Sequence, residues 1–459
     1  MIKKSKQETE VIEITEADRA RWARMAKWEW TEASIWTDAM LVALDNGVKG
    51  GKWFSLIDKA CRLRTLEAAW EKVRANKGAS GVDKITIEIF EARKGKYLNE
   101  LEQELSTGTY QPQAVKRVYI PKGQGKLRPL GIPTVKDRIA QQAVKMTIEP
   151  IFEKEFIDMS YGFRPKKGAQ MAIAEVSNLI TEGYTWVVDA DLQAYFDTIP
   201  HENLIMKVKQ RISDNGIIRL IDMWLKQEIM EECNGWVPTQ GTPQGGVISP
   251  LLSNVYIHDL DVLMKSTGYK MVRYADDFVI LTKSQVEAEE ALKLLQAWVI
   301  ENGLTLHPDK THLGNCLNKG EGFEFLGYRF EAGSSWIRRK SIQKFRDRVR
   351  QETSRVCGKS IDAVIRKLNP VLRGWCNYFK NVTKYTMGTF DGFVRRRLRA
   401  IIQRQNKKRS FFFGSGWCNQ KIPNKFFADK GLFNMETHQG LYAAIQPRCG
   451  NNRLESRMR

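Results

Sequence analysis

At 459 residues, 42% hydrophobic and 27% charged, the chain has an ordinary globular composition and room for roughly two to four domains; no stretch nears the ~20 uncharged apolar residues of a membrane span. Seven scattered cysteines, an odd number without a Cys-x-x-Cys pair, and five histidines that do not cluster with them argue for a reducing compartment and against a zinc module. The net charge of +20 predicts a polyanionic partner, and the start, MIKKSKQETEVIEITEADRARW, lacks the apolar core of a signal peptide, so a cytoplasmic location is expected.

Residues 1–60 read as mixed helical sequence, rich in Trp and broken at Gly50 and Gly51. LRTLEAAWEKVRANKG, 63–78, reads as an amphipathic helix ending at Gly78, and a loop and a short helix follow in ASGVDKITIEIFEA. AVKRVYIPKGQGKLRPLGIPT, 114–134, predicts a hairpin with a Gly-rich, basic tip, and 135–155 a helix. TWVVDADLQAYFDTI, 185–199, is a buried strand running into a short helix, and TQGTPQGGVISPLLSNVYIHDLD, 239–261, a Gly/Pro loop entering a helix. A second hairpin surrounds RYADDFVILT, 273–282, before an amphipathic helix over 284–303 with a capping Ser and a terminal Gly. This order predicts an α+β fold with a mostly antiparallel sheet.

After Gly327 the sequence turns helical and basic. Ile337 to Arg409 carries 22 Lys or Arg against 4 Asp or Glu, a net of +18 that leaves +2 for the rest. In SIDAVIRKLNPVLRGWCNYFK, Ile361, Val364, Leu368, Leu372, Trp375 and Phe379 form an apolar stripe, while Arg366, Lys367, Arg373 and Lys380 mostly take the other face. Pro370 is expected to break or kink this helix. A basic surface interleaved with aromatics suits nucleic acid.

RYADDFVILT places two aspartates beside a strand covered on both faces. At a hairpin tip Asp276 and Asp277 can converge, and converging carboxylates call for a divalent cation, although the pair alone also reads as a solvated turn. Asp189, Asp191 and Asp197 are candidates for a third ligand, with Asp191 nearer the strand end. Three carboxylates around two Mg²⁺ ions ~3.5–4 Å apart suit nucleotidyl transfer. Lys122, Lys126 and Arg128 on the basic hairpin could clamp a triphosphate, or belong to an ordinary exposed hairpin.

Nine blocks then occur in one order: KGASGVDKIT, IPKGQGKLRPLGIPTVKDRIAQQ, SYGFRP, VVDADLQAYFDTIPH, QGTPQGGVISPLLSN, YADD, GLTLHPDKT, FEFLGYRF and LNPVLRGWCNYF. Over roughly residues 65–410 the chain resembles the bacterial group II intron-encoded reverse transcriptases and maturases. The resemblance implies a right-hand polymerase with fingers, an antiparallel palm sheet and a helical thumb. It divides the chain into an N-terminal extension (1–62), fingers and palm (63–332), a thumb or maturase X domain (333–410) and a short basic DNA-binding tail (411–459). No His-Asn-His nuclease core follows residue 411, so the nuclease-free, class C-like type is expected.

The resemblance also implies roles. Asp191, Asp276 and Asp277 match the metal aspartates, and Leu192 would lend a metal its carbonyl. Phe196 matches the aromatic that excludes a ribose 2′-hydroxyl. Gln244 and Gly245 match the segment beside the incoming nucleotide, and Lys122 and Arg128 the triphosphate-binding residues. Lys310 stands where polymerases often carry a lysine near the leaving group, as a general acid. Tyr161, Phe163 and Arg164 are candidates for template contact; Arg373, Arg395, Arg396 and Arg399 are candidates for RNA contact. Asp197 is expected to hydrogen-bond structurally or cap a helix. Mg²⁺ is the expected cofactor; intron RNA, RNA template, DNA primer or target and dNTPs are the expected partners. A same-fold reverse transcriptase recruited elsewhere, such as to phage defence, and a splicing-only RNA-binding maturase are the alternatives.

Overall fold

The computed structural model describes residues 16–123, 126–231, 234–308, 310–354, 358–405 and 420–445. The chain divides into two compact units, Met1–Leu313 and Gly314–Arg459. Among the described residues no helix is long and apolar enough to cross a membrane.

In the first unit, strands Lys270–Tyr274, Asp277–Thr282 and Trp186–Asp191 lie side by side in that order, antiparallel. Val187, Val188, Phe278, Val279, Ile280 and Leu281 are all buried, which explains the unbroken apolar runs in both strands. Helices cover the sheet. Val135–Glu153 is buried along most of its length and begins at Thr134, whose hydroxyl accepts from the Asp137 amide at 3.1 Å. Ser249–Ser266 starts with Pro near its N-terminus, and Gln285–Glu301 is capped by Ser284, which accepts from the Glu287 amide.

A second sheet has the order Lys126–Ile132, Val115–Gly123, Ile229–Glu231, Asn234–Trp236. Its first two strands form the basic hairpin, paired from Lys116↔Ile132 to Gly123↔Lys126. Val115 pairs parallel with Ile229 and so ties the hairpin to the segment before the Gly/Pro loop.

The Trp-rich N-terminal segment joins the core of this unit. Trp28, Ile35, Trp36, Leu41, Leu44 and Leu56 are buried, and the Trp36 indole donates to the Met146 carbonyl at 3.1 Å. Asp214, capping helix Asn215–Leu225, also accepts from the Leu56 and Ile57 amides at 2.5 and 2.9 Å.

The second unit contains a three-stranded sheet in the order Ser334–Ile337, Tyr328–Glu331, Phe323–Phe325, followed by helices Arg339–Glu352, Ile361–Tyr378, Lys384–Gln405, Asn424–Asp429 and Met435–Ile445. Phe345 and Trp375 stack with centroids 4.5 Å apart, and Phe390 meets both rings edge-on. The expected break at Pro370 does not occur, because Ile361–Tyr378 continues through it as one helix. Proline removes one backbone hydrogen bond there, but Val364, Ile365, Leu368, Leu372 and Cys376 are buried along both halves and keep both helical. The mixed helix and strand composition, with an antiparallel sheet in the first unit, is the α+β polymerase architecture expected from the sequence.

Candidate active site

The hairpin around the paired aspartates is tight. Tyr274 pairs with Asp277, leaving Ala275 and Asp276 as the connection, with Ala275 at φ +61°. Asp191 stands directly opposite Asp277, so these two carboxylates leave the sheet on one face. Asp189, opposite Val279, shares that face. Asp191, Asp276 and Asp277 are all half-buried.

The segment after Asp191 is held by 304–307. The His307 amide donates to the Asp191 carbonyl at 2.8 Å, the Gln193 amide donates to the Thr305 carbonyl at 2.8 Å, and Leu192 bridges to Leu306. This pairing brings Lys310 to the site, where its ammonium forms an ion pair with Asp191 Oδ2.

Beneath the turn lies a buried charge to which the sequence reading assigned no role. The Arg273 guanidinium is fully buried and donates from Nε and Nη2 to the Asp261 carboxylate at 2.7 and 2.5 Å. It also donates to Asn254 Oδ1 at 2.9 Å, Ser160 Oγ at 2.6 Å and the Ala275 carbonyl at 3.0 Å. A bidentate Arg–carboxylate pair with its remaining donors satisfied can be tolerated in a dry interior. The available signal was an arginine beside the buried Val272 in strand Lys270–Tyr274 and an aspartate twelve residues earlier in helix Ser249–Ser266.

SYGFRP packs on the same turn. The Tyr161 amide donates to the Arg273 carbonyl, and Asn254 Nδ2 to the Gly162 carbonyl, both at 2.8 Å. A β-carbon on Gly162 would lie 2.2 Å from the Ala275 nitrogen, so only glycine allows this approach. Arg164, expected at the template, is instead buried. It pairs with Glu153 at 2.7 to 3.1 Å and donates to the Ser160 carbonyl at 2.7 Å, so its guanidinium is committed to holding the loop. Tyr161 is buried as well, whereas Phe163 is exposed.

Phe196 lies in the short helix Tyr195–Thr198, which follows Ala194 in left-handed backbone at φ +49°. The Thr242 amide donates to the Phe196 carbonyl at 2.6 Å. Gly245 has φ +112°, and a β-carbon there would stand 2.2 Å from the Gly131 carbonyl, so the Gly/Pro loop lies flush against the hairpin. Gln244 links the two. Its Oε1 accepts from Arg128 Nε at 2.9 Å and its Nε2 donates to Asp197 Oδ2 at 3.0 Å. Desolvation pushes the Asp197 carboxyl above its usual range, opposed by the Gln244 hydrogen bond and by Arg117 and Arg128. A cavity of about 190 Å³ adjoins this chain of contacts, with Arg117, Trp236 and Thr242 in its wall. The side chains of Lys122 and Lys126 lie outside the described residues.

Among the described residues no three Asp, Glu, His or Cys side chains are drawn together as a metal cluster. The donor set still suits a hard divalent cation, since it offers carboxylate oxygens from Asp191 and Asp277 on one face and from Asp276 at the adjoining turn.

On the second unit, Arg373 and Arg396 are exposed and lie over the rings of Phe433 and Phe393 at 5.5 and 6.0 Å. Arg395 is half-buried; burial pushes the Asp391 carboxyl above its usual range, opposed by the Glu436 and Met435 amides and by Arg395. Arg399 departs from its expected role. It is buried, donates to the Ile422 carbonyl at 2.9 Å and Asn424 Oδ1 at 2.7 Å, and lies over Phe427, so it ties helix Lys384–Gln405 to the segment beyond.

Comparison with known proteins identifies the family. Residues 120–330 match the family described as reverse transcriptase (RNA-dependent DNA polymerase), and residues 342–421 match the group II intron, maturase-specific domain. The chain is 35% identical to protein YkfC of Escherichia coli (strain K12) over 338 residues, 64% of this chain and 86% of that one. The chain belongs to the group II intron-encoded reverse transcriptases. It is also 39% identical over 208 residues to the group II intron-encoded protein LtrA of Lactococcus lactis, covering 45% of this chain and about a third (34%) of LtrA. A solved partial Cas6-RT-Cas1–Cas2 complex is similar at 25% identity over 54% of this chain and 42% of that one, with a TM-score of 0.34. The protein is thus an RNA-directed DNA polymerase of a family that works with divalent metal ions.

Proposed function

We propose that this protein copies RNA into DNA at the Asp191, Asp276 and Asp277 site with Mg²⁺, and that it binds its own intron RNA to assist splicing and mobility. The observation that carries the polymerase reading is the in-register pair Asp191↔Asp277 beside the Asp276 turn. The RNA-binding reading rests on the maturase-specific match over 342–421 and on the net +18 between Ile337 and Arg409.

In this reading the three carboxylates and the Leu192 carbonyl would hold the metal. When bound, Mg²⁺ would lower the pKa of the primer 3′-hydroxyl and neutralise charge on the triphosphate and departing pyrophosphate. Gln244 and Gly245 flank the incoming nucleotide, and Phe196 fills the space a 2′-hydroxyl would need. Arg128 exchanges its Gln244 partner for the triphosphate, joined by Lys122. Lys310 gives up Asp191 and donates a proton to the leaving group. Arg373, Arg395 and Arg396 face RNA. The partners are intron RNA, an RNA template, a DNA primer or target and dNTPs, met in the cytoplasm.

The test is primer extension on an RNA template with dNTPs and Mg²⁺. Wild type is expected to extend, and Asp191→Asn to lose extension while remaining folded. Extension by Asp191→Asn at the wild-type rate would remove the site from this account.

A further inference from the structure

Phe163 is an aromatic residue that burial does not explain. It is 44% exposed and sits at φ +59°, a left-handed conformation unfavourable for a bulky side chain. Strain of this kind persists only where the surroundings enforce it, and it gathers at functional sites. Ala194 and Ala275, at φ +49° and +61°, are two more such residues in the same site.

The Phe163 ring meets Phe196 edge-on, with centroids 6.3 Å apart and planes at 75°. Tyr195 touches Phe196 at 5.7 Å and 67°. Phe196 itself is only 8% exposed, so its position depends on these neighbours.

The segment carrying Phe163 is pinned on both sides. Gly162 fits against the Ala275 backbone and its carbonyl accepts from Asn254, while Arg164 is locked to Glu153. The Phe163 edge is therefore fixed in register with the turn that carries Asp276 and Asp277.

We propose that Phe163 is a positioning residue for sugar selection, bracing the Phe196 ring against displacement by a ribose 2′-hydroxyl. The proposal rests on the reading of Phe196 as the sugar gate. An aromatic ring excludes a hydroxyl only as firmly as it is held. With its outer neighbour removed, Phe196 can yield by a change of side-chain rotamer, and a ribonucleotide then fits at small cost. Phe163 stays 44% exposed while its ring contacts Phe196.

The test compares kcat/KM for a dNTP and the matching rNTP in wild type, Phe163→Leu, Phe163→Tyr, Phe196→Val and the Phe163→Leu/Phe196→Val pair, with Mg²⁺ and one RNA template. The loss of one aromatic edge contact should raise relative rNTP use by about 2- to 10-fold in Phe163→Leu. Phe163→Tyr keeps the ring and should hold the wild-type ratio. Phe196→Val should raise rNTP use further, and adding Phe163→Leu to it should change nothing more, since no ring is left to brace. An unchanged ratio in Phe163→Leu beside a raised one in Phe196→Val overturns the brace and leaves the gate standing. An unchanged ratio in Phe196→Val overturns the gate itself. Weakened RNA-template affinity in Phe163→Leu at a constant ratio assigns Phe163 to the template and rejects the proposal.

Discussion

Replacing Arg273 by Met should damage the site through the turn it supports. The guanidinium makes two bonds to Asp261, and both side chains are 1% exposed. The substitution preserves much of the apolar stem but leaves the Asp261 carboxylate buried without its cation. Breaking a buried pair in this way costs about 3–5 kcal/mol, a large part of the roughly 5–15 kcal/mol that holds a domain folded. The Ala275 carbonyl, Asn254 and Ser160 lose a donor as well. Arg273→Met/Asp261→Leu buries no charge and should recover most of the lost stability. It should not recover activity, because nothing then fixes the Ala275 carbonyl, and a turn displaced by about 1 Å costs on the order of 100-fold in rate. Urea denaturation of the two variants, with primer extension on the same samples, separates the effects. A single variant within about 1 kcal/mol of wild type, or a double variant that regains activity along with stability, refutes the reasoning.

Arg396→Gln and Arg373→Gln should each lower the slope of log K against log salt for RNA binding by about 1, whereas Arg399→Gln should lower thermal stability with little change in that slope; filter binding across a salt series and a thermal melt distinguish them. Glu331 is held at a pKa of about 2 by hydrogen bonding from Arg329 and the Gly320 amide. Its contribution to stability is therefore present above the unfolded value of about 4.3 and is lost as pH falls through about 2. Glu331→Gln should flatten the acid-unfolding curve across that window, and an unchanged curve would show that Glu331 is not linked to folding. Gly162→Ala should reduce extension sharply, because its β-carbon would stand 2.2 Å from the Ala275 nitrogen; normal extension would mean the turn can retreat without cost.

The palm elements were legible because their signals are local. An unbroken apolar run identifies a strand buried on both faces, and the paired aspartates mark the turn beside it. The capping Ser284 and the hairpin around Gly123 were equally plain. The fates of Arg164 and Arg399 were not, because a charge in sequence carries no sign of whether a carboxylate waits for it in the fold. Arg164 finds Glu153 eleven residues away, and Arg399 finds the Ile422 carbonyl and Asn424. The Arg273–Asp261 pair was hidden for the same reason. At Pro370 the break expected as one alternative is absent, since a local rule about one hydrogen bond yielded to tertiary burial on both sides of it. The link from Arg128 through Gln244 to Asp197 joins three separated segments.

The central claim is that one carboxylate site makes DNA while a separate basic surface binds intron RNA. It is tested most directly by assaying wild type and Asp191→Asn side by side for primer extension and for splicing of the intron at near-physiological Mg²⁺. Splicing chemistry belongs to the RNA, so the account predicts that Asp191→Asn loses extension by at least about 100-fold and still supports splicing. Extension at the wild-type rate, or loss of splicing in a variant that remains folded and bound to RNA, would contradict it.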